Sequence, residues 1–265
     1  MSGKHRLNNN AANMRTPLKD KPLRQPGQSL REERQRLIDD KFTPWLIAAV
    51  MAIALAGLDW LRYTSKTPYD PWTLTAFAAL VSSFTAWRFF SVLKRTQQLK
   101  LGISGEVAVG QFLDRLHAEQ YQVFHDVRGH GFNLDHVLIG PAGVFTVETK
   151  TWNKPHSNAK VNFDGERLLV AGKEPDRDPV VQARAQAAWL RTQLRESTGK
   201  DFEVWPVIVF PGWFVEATST SQRKLWVLEP KALPTFLKNE PVNLSAEDRK
   251  LASFHLSRMI RTSED

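Results

Sequence analysis

At 265 residues the chain is long enough for one globular domain with a full core and something more. It contains no cysteine, which excludes a disulfide scaffold and a zinc-thiolate site and fits a reducing compartment. The net charge of +8 invites a nucleic-acid reading. However, the cation surplus is five in residues 1–43, one in 44–93 and two in 94–265, so the basicity belongs to the N-terminal tail and says little about what the remainder binds.

Residues 1–43 are polar, rich in Pro and Asn and almost free of aromatics, a composition that cannot offset the entropy of ordering. A disordered basic tail is expected there, with at most a helical turn or two from Ser29. No short apolar core with a small-residue cleavage site follows the first charges, so no signal peptide is expected. Two apolar runs come next, "PWLIAAVMAIALAGLDWLRY" at 44–63 and "PWTLTAFAALVSSFTAWRFFSVL" at 71–93. Each is close to the ~20 residues that cross a bilayer's hydrocarbon core as helix. Trp45, Trp60, Trp72 and Trp87 fall near their ends, where amphipathic rings prefer the interface. The charges within them, Asp59, Arg62 and Arg88, also lie near an end, from which they can reach water.

Two transmembrane helices over 44–93 are therefore expected, the alternative being a buried helical hairpin in a soluble protein. Lysine and arginine crowd the tail before the first run, and Lys94, Arg95 and Lys100 follow the second, whereas only Arg62 and Lys66 lie near the intervening loop. This asymmetry places both termini in the cytoplasm, as a multi-pass protein of the inner membrane. The tail then acts as topogenic signal and lipid-headgroup contact in preference to a nucleic-acid arm.

From 94 to 265 the sequence reads as an α/β domain. "SGEVAVGQFLDRLHAE" carries a helical apolar stripe at 107, 109, 112, 113 and 116. "YQVFHDV" reads as a strand, "NLDHVLIGPAGVFTVETK" as two more, and "AKVNF" and "RLLVAG" as short ones. Asp178 as N-cap with Pro179 at the first helical position opens a helix, and strands at "EVWPVIVF" and "KLWVLEP" precede two closing helices near 231–238 and 245–261.

The segment 133–150 poses an electrostatic problem. If "GPAG" at 140–143 turns between antiparallel strands, Ile139 faces Val144, Val137 faces Thr146, and Asp135 faces Glu148. Side-chain alternation puts Asp135, Glu148 and Lys150 on one side with Val137, Ile139, Val144 and Thr146, and puts Leu138, Phe145 and Val147 on the other. Both sides are largely apolar, so the hairpin is expected in the middle of a sheet covered by helices on both faces. Directly opposed carboxylates have Cβ atoms about 5 Å apart and repel, and burial raises the cost of ionising them. A divalent cation between them removes the conflict, and hard oxygen ligands suit Mg²⁺ or Mn²⁺. Lys150 can then act on the same centre, orienting and deprotonating water or stabilising a pentavalent phosphate. The alternative is a Glu148–Lys150 salt bridge at a strand end with Asp135 capping a turn.

Asp135, a turn, then Glu148-Thr149-Lys150 resembles the PD-(D/E)XK nuclease signature. The wider pattern of "SGE" at 104–106 and "NLDHVLIGPAGVFTVETKTW" at 133–152 resembles the nuclease-related domain family, NERD, over approximately 102–210. The resemblance implies a three-layer α/β core with a mixed central sheet, preceded here by the two-helix transmembrane hairpin, and Mg²⁺-dependent hydrolysis of nucleic-acid phosphodiesters, DNA before RNA. It implies Asp135 and Glu148 as metal ligands, with the Thr149 carbonyl as a third, Lys150 as the water-activating or charge-stabilising group, and Glu106 as the helix acid that approaches the metal directly or through water. Gln182 falls where related nucleases often carry a helix glutamine. Where some of them have a tyrosine four residues on, this chain has Gln186, and Leu134 replaces the leading proline.

Other candidates are weaker. His125 and Asp126 end a strand near the site, His136 is expected to pack on the opposite side, and Arg128, His130 and Gly131 form a nearby loop. Trp152, Lys154 and Lys160 mix aromatic and basic character suited to a single strand or a groove. No Walker loop, metalloprotease helix or serine-nucleophile elbow is present. The rival to a nuclease is a membrane-anchored module that grips nucleic acid or protein without cutting. The near-neutral domain further suggests that oligomerisation or a protein partner supplies part of the grip.

Overall fold

The computed structural model describes residues 21–65, 70–129, 131–217 and 225–262. The chain opens with three helices, α1 (Gln28–Lys41), α2 (Thr43–Thr64) and α3 (Trp72–Leu113). Strands β1 (Gln122–Arg128), β2 (Asn133–Gly140), β3 (Gly143–Thr149), β4 (Lys160–Phe163) and β5 (Leu168–Val170) follow, and then α4 (Pro179–Thr198). Strands β6 (Val204–Val209), β7 (Phe214–Ala217) and β8 (Trp226–Leu228) precede α5 (Leu233–Asn239) and α6 (Ala246–Thr262).

A five-stranded mixed sheet has the order β1-β2-β3-β6-β8, with β1, β2 and β3 antiparallel and β6 parallel to both β3 and β8. The hairpin register is the expected one: Val137 pairs with Thr146 and Ile139 with Val144. The turn is tighter than expected, because Gly140 and Gly143 still pair and only Pro141 and Ala142 lie between them. Pro206 sits in β6 before its ladder with β8 begins at Val207, where its missing N–H leaves no β8 bond unmade. A second sheet, β5-β4-β7, contains β7, which the sequence reading had not singled out.

Side-chain alternation sorts the core into layers. Leu138, Phe145 and Val147 pack against Val109 and Leu113 of the α3 end and Leu116 just beyond it. Val137, Ile139 and Val144 pack on the other face against Leu190 and Leu194 of α4 and Ala252, Leu256 and Ile260 of α6. The small sheet closes over Val180 and Ala183 at the start of α4 through Val161, Phe163 and Leu168. The helix start at α4 is as read, since Asp178 accepts a hydrogen bond from the Val180 N–H and Pro179 occupies the first turn.

Two expectations require correction. First, residues 28–41 form α1 rather than disordered tail; residues 1–20 lie outside the described residues. The ordering comes from tertiary partners. The Arg24 side chain is 1% exposed and pairs with Asp126 at 2.6 Å, while Ser29 N–H and Oγ both donate to Asp126 Oδ2 at 2.9 Å. Second, no break falls at 93/94: α3 runs unbroken from the second apolar run into the α/β domain, then tightens to a 3₁₀ turn over Asp114–Glu119. Gly110 on that helix lets the N-terminal segment dock, because a Cβ there would stand 2.5 Å from Pro26 Cγ.

The α2–α3 hairpin packs through small residues, with Ala52 and Ala56 meeting Ala78, and the Thr85 hydroxyl donates to the Trp45 carbonyl at 3.2 Å. Its large apolar side chains, among them Ile47, Val50, Met51, Leu61, Leu80 and Phe90, point outward.

Candidate active site

The site forms where β2 begins and β3 ends. Just beyond the paired register, the Thr149 N–H donates to Asp135 Oδ2 at 2.7 Å, so Asp135 replaces a ladder bond with a side-chain bond. Glu148, 4% exposed, is held by three donors. Lys150 Nζ and Gln182 Nε2 both donate to its Oε1 at 2.7 Å, and Gln186 Nε2 donates to its Oε2 at 2.7 Å. Lys150 Nζ also donates to Gln182 Oε1 at 2.9 Å, which leaves the third ammonium hydrogen for the cleft. One turn of α4 separates Gln182 from Gln186, so both reach the same carboxylate. Gln186, 3% exposed, also donates to the Asn133 carbonyl at 3.1 Å, tying Glu148 to the start of β2.

Glu106 enters from α3. That helix comes close because its neighbour is glycine: a Cβ at Gly105 would lie 1.7 Å from Thr151 Oγ1. Burial pushes the Glu106 carboxyl up to about 8, with Asp126 and Glu148 adding to the shift and the Gly27 N–H and Lys150 opposing it. Asp135 keeps part of its surface open, yet it is set deeply enough that burial, then Glu148 and Glu106, hold its carboxyl well above the ordinary carboxylate range. The Thr149 N–H and Lys150 counter this only in part. Asp135 and Glu106 thus each cost more to ionise, through burial first and neighbouring carboxylates second.

For a divalent cation the donor set is chemically suitable, with hard carboxylate oxygens, the Thr149 carbonyl and an adjacent lysine. Asp135 Oδ1 carries no hydrogen bond among the described residues, whereas Glu148 is already satisfied on both oxygens. Among the described residues no three His, Asp or Glu side chains converge in a group able to hold an ion. Glu106 senses the other two acids but is not gathered with them, and Gly27 is its hydrogen-bond donor. The ligand pair that fits is therefore Asp135 and Glu148.

The remaining candidates disperse. His136, fully buried, shares a 2.8 Å Nδ1···Nδ1 contact with His125, whose Nε2 lies 3.1 Å from Asp114 Oδ1. Burial drives both rings below the usual imidazole value, His136 well below, and the His136 Nε2 has no partner among the described residues. Asp126 is taken up by Arg24 and Ser29, and Arg128 pairs with Glu32 of α1. Gly131 is exposed, and His130 lies outside the described residues. Lys160 pairs with Glu216 on the small sheet, and Lys154 lies 5.5 Å from the Trp213 ring centroid. Trp152 does reach the cleft beside Lys150 and Gln182. Arg24, Arg95 and the holding role of Gln186 were not anticipated. Gln186 alone carried a sequence signal, its position one helical turn beyond Gln182.

A mixed sheet covered by helices on both faces, with two acids and a lysine brought together at neighbouring strand ends, makes this an α/β domain with its candidate site where β2 begins and β3 ends. Residues 101–211, less than half of the chain, match the family model NERD, the nuclease-related domain. No curated protein and no solved structure matches it.

Proposed function

We propose that the protein is a membrane-anchored nuclease that hydrolyses nucleic-acid phosphodiester bonds, DNA before RNA, with Mg²⁺ or Mn²⁺. The observation that carries this reading is the Asp135–Glu148–Lys150 cluster, in which half-buried Asp135 and buried Glu148 come together at neighbouring strand ends and Lys150, which lines the cleft, pairs with Glu148. A bound divalent ion would supply Lewis-acid polarisation of the phosphate and offset the acids' charge. Asp135 and Glu148 would hold it, with the Thr149 carbonyl beside them. Lys150, fixed between Glu148 and Gln182, aims its remaining N–H at the cleft, where it can orient an attacking water or stabilise developing phosphate charge. Gln182 and Gln186 fix the Glu148 carboxylate. Glu106 stands at the rim of the acid pair as the third acid.

Membrane attachment is supported by the inverted packing of the hairpin, with alanines inside and large apolar side chains outside. A soluble hairpin buries its large side chains, whereas small residues at the contact are what helices in lipid use. Two helices are long and apolar enough to cross a bilayer. Inner-membrane residence with both termini in the cytoplasm follows from the lysine and arginine distribution; Lys66, one of the loop cations, lies outside the described residues.

The full-length protein in nanodiscs, incubated with DNA and Mg²⁺, is expected to cleave. Asp135→Asn and Lys150→Ala should each lower the rate at least about a hundredfold, the usual scale for losing one electrostatic contributor. Equal activity in wild type and both variants would remove the enzyme reading.

One observation favours a non-catalytic binding module instead: both Glu148 carboxylate oxygens already accept hydrogen bonds, from Lys150, Gln182 and Gln186. Calorimetry with Mn²⁺ separates the two, since a nuclease binds the ion at a site lost in Asp135→Asn and an inert module does not.

A further inference from the structure

The cleft beside the acid pair has a volume of about 750 Å³. Lys150, Gln182 and Trp152 line it, together with Lys173 and Arg177 from the β5–α4 connection. Arg95 of α3, two residues past the second apolar run, lines it as well. We propose that this cleft binds a single strand of nucleic acid, running between the reacting centre and the bilayer surface through a space that a duplex does not enter. The inference rests on the nuclease and membrane readings above and narrows their substrate.

A ligand that touches Arg95 and Lys150 at once occupies the flank of α3 between Arg95 and the site. That helix is unbroken there, so at 1.5 Å per residue the stretch from Arg95 to Glu106 is about 17 Å long. Lipid headgroups take about 5–7 Å of each face of a bilayer, of which about 3 Å lies before Arg95, so on the order of 13 Å is left, and any tilt of the helix leaves less. A duplex, whose major groove is about 12 Å wide before the backbones that flank it are counted, does not fit that gap; an unpaired strand does.

The lining chemistry agrees. Lys173 and Arg177 make no salt bridge among the described residues, so both are available to phosphates. Arg95 is engaged by Glu33 at 2.7 Å, but that pair is about half exposed and exchanges readily for a phosphate. Glu174 and Asp176 also line the cleft, which tempers the field and disfavours indiscriminate binding. Trp152 is a fixed aromatic platform: its ring lies 5.6 Å from that of Phe210, and its carbonyl accepts a hydrogen bond from the Trp213 indole at 3.2 Å. Stacking on such a ring is tolerant of base identity.

The test measures binding by fluorescence anisotropy, with full-length protein in nanodiscs and no divalent cation. The probes are a labelled short single-stranded DNA and the blunt duplex of the same sequence. The single strand is expected to bind at least about tenfold more tightly. Lys173→Ala/Arg177→Ala, exposed and harmless to folding, should lower the slope of log affinity against log salt by about 1.4, two single-strand phosphate contacts. Trp152→Leu should weaken binding about tenfold. Duplex binding as tight as the single strand, no binding of either probe, or an unchanged salt slope in the double variant would overturn the inference. Adding Mg²⁺ separates it from the parent reading. Single strand bound but never cut removes the nuclease and leaves the cleft assignment, whereas duplex cut without single-strand preference does the reverse.

Discussion

Glu148 shows how much of the site is set by individual hydrogen bonds. Its carboxylate is fixed by Lys150, Gln182 and Gln186, and only Lys150 lies near it in sequence. Gln186→Leu removes the donor to both Glu148 Oε2 and the Asn133 carbonyl. Leaving buried acceptors unpaired should cost about 1–3 kcal/mol, read as a lower unfolding midpoint in detergent. The titrating residues pull in opposite directions. His136 is held well below the ordinary imidazole value, so as pH falls below about 6.5 the unfolded chain binds a proton that the folded chain refuses, and stability drops. Glu106 is held up to about 8 against an ordinary 4.5, so the folded chain keeps a proton that the unfolded chain releases, and stability is lost as pH rises through that window. Two single variants resolve these slopes by thermal unfolding against pH. His136→Phe should gain on wild type on the acid side, and Glu106→Gln should gain on the alkaline side.

The element that most changes the reading of this molecule is the N-terminal segment. Residues 24–29 and helix α1 dock on α3 and on the end of β1 through Arg24, Ser29 and Glu32, which meet Asp126 and Arg128. Asp126 adopts a left-handed backbone with φ 51, a conformation that Asp tolerates better than most residues. Removing one partner of a buried pair leaves the other charge uncompensated, so Arg24→Ala should destabilise by about 3–5 kcal/mol. Arg24→Met with Asp126→Asn should recover part of that loss, since neither buried charge then remains. Failure of Arg24→Ala to lower the melting temperature would show that the segment is not held this way. The same docking predicts that residues 94–265 alone unfold more readily than the full chain, because that fragment keeps Asp126 and loses Arg24.

At the scale of the whole molecule, α3 is one rod from the outward-facing apolar hairpin to the acid cluster, so on the proposed membrane-anchored reading the placement of the hairpin fixes the placement of the site. The chain has no cysteine, which makes introduced thiols unambiguous reporters. Asp70→Cys is expected to react with an impermeant maleimide from outside the inner membrane, and a cysteine added after Asp265 is expected to react only after lysis. Labelling of the C-terminal thiol from outside would invert the topology and remove the cytoplasmic nucleic-acid reading.

The amino-acid order by itself determined the β2–β3 register, the two-sided burial of that hairpin and the juxtaposition of Asp135 with Glu148. Each follows from period-two alternation across a short turn, a local rule that needs no distant partner. It determined the start of α4 for the same kind of reason, a cap and a proline acting on adjacent residues. Tertiary structure alone decided that the polar stretch around α1 orders, because Asp126, which holds Arg24 and Ser29, lies about a hundred residues away. It alone decided that α3 is continuous through Gly102, Gly105 and Gly110: glycine weakens a helix locally, but a Cβ at Gly105 or Gly110 would collide with Thr151 or Pro26. It decided, finally, that Glu148 is clasped by two glutamines while Glu106 is drawn to Gly27, since burial and hydrogen-bond partners are properties of the packed chain and carry no local signature.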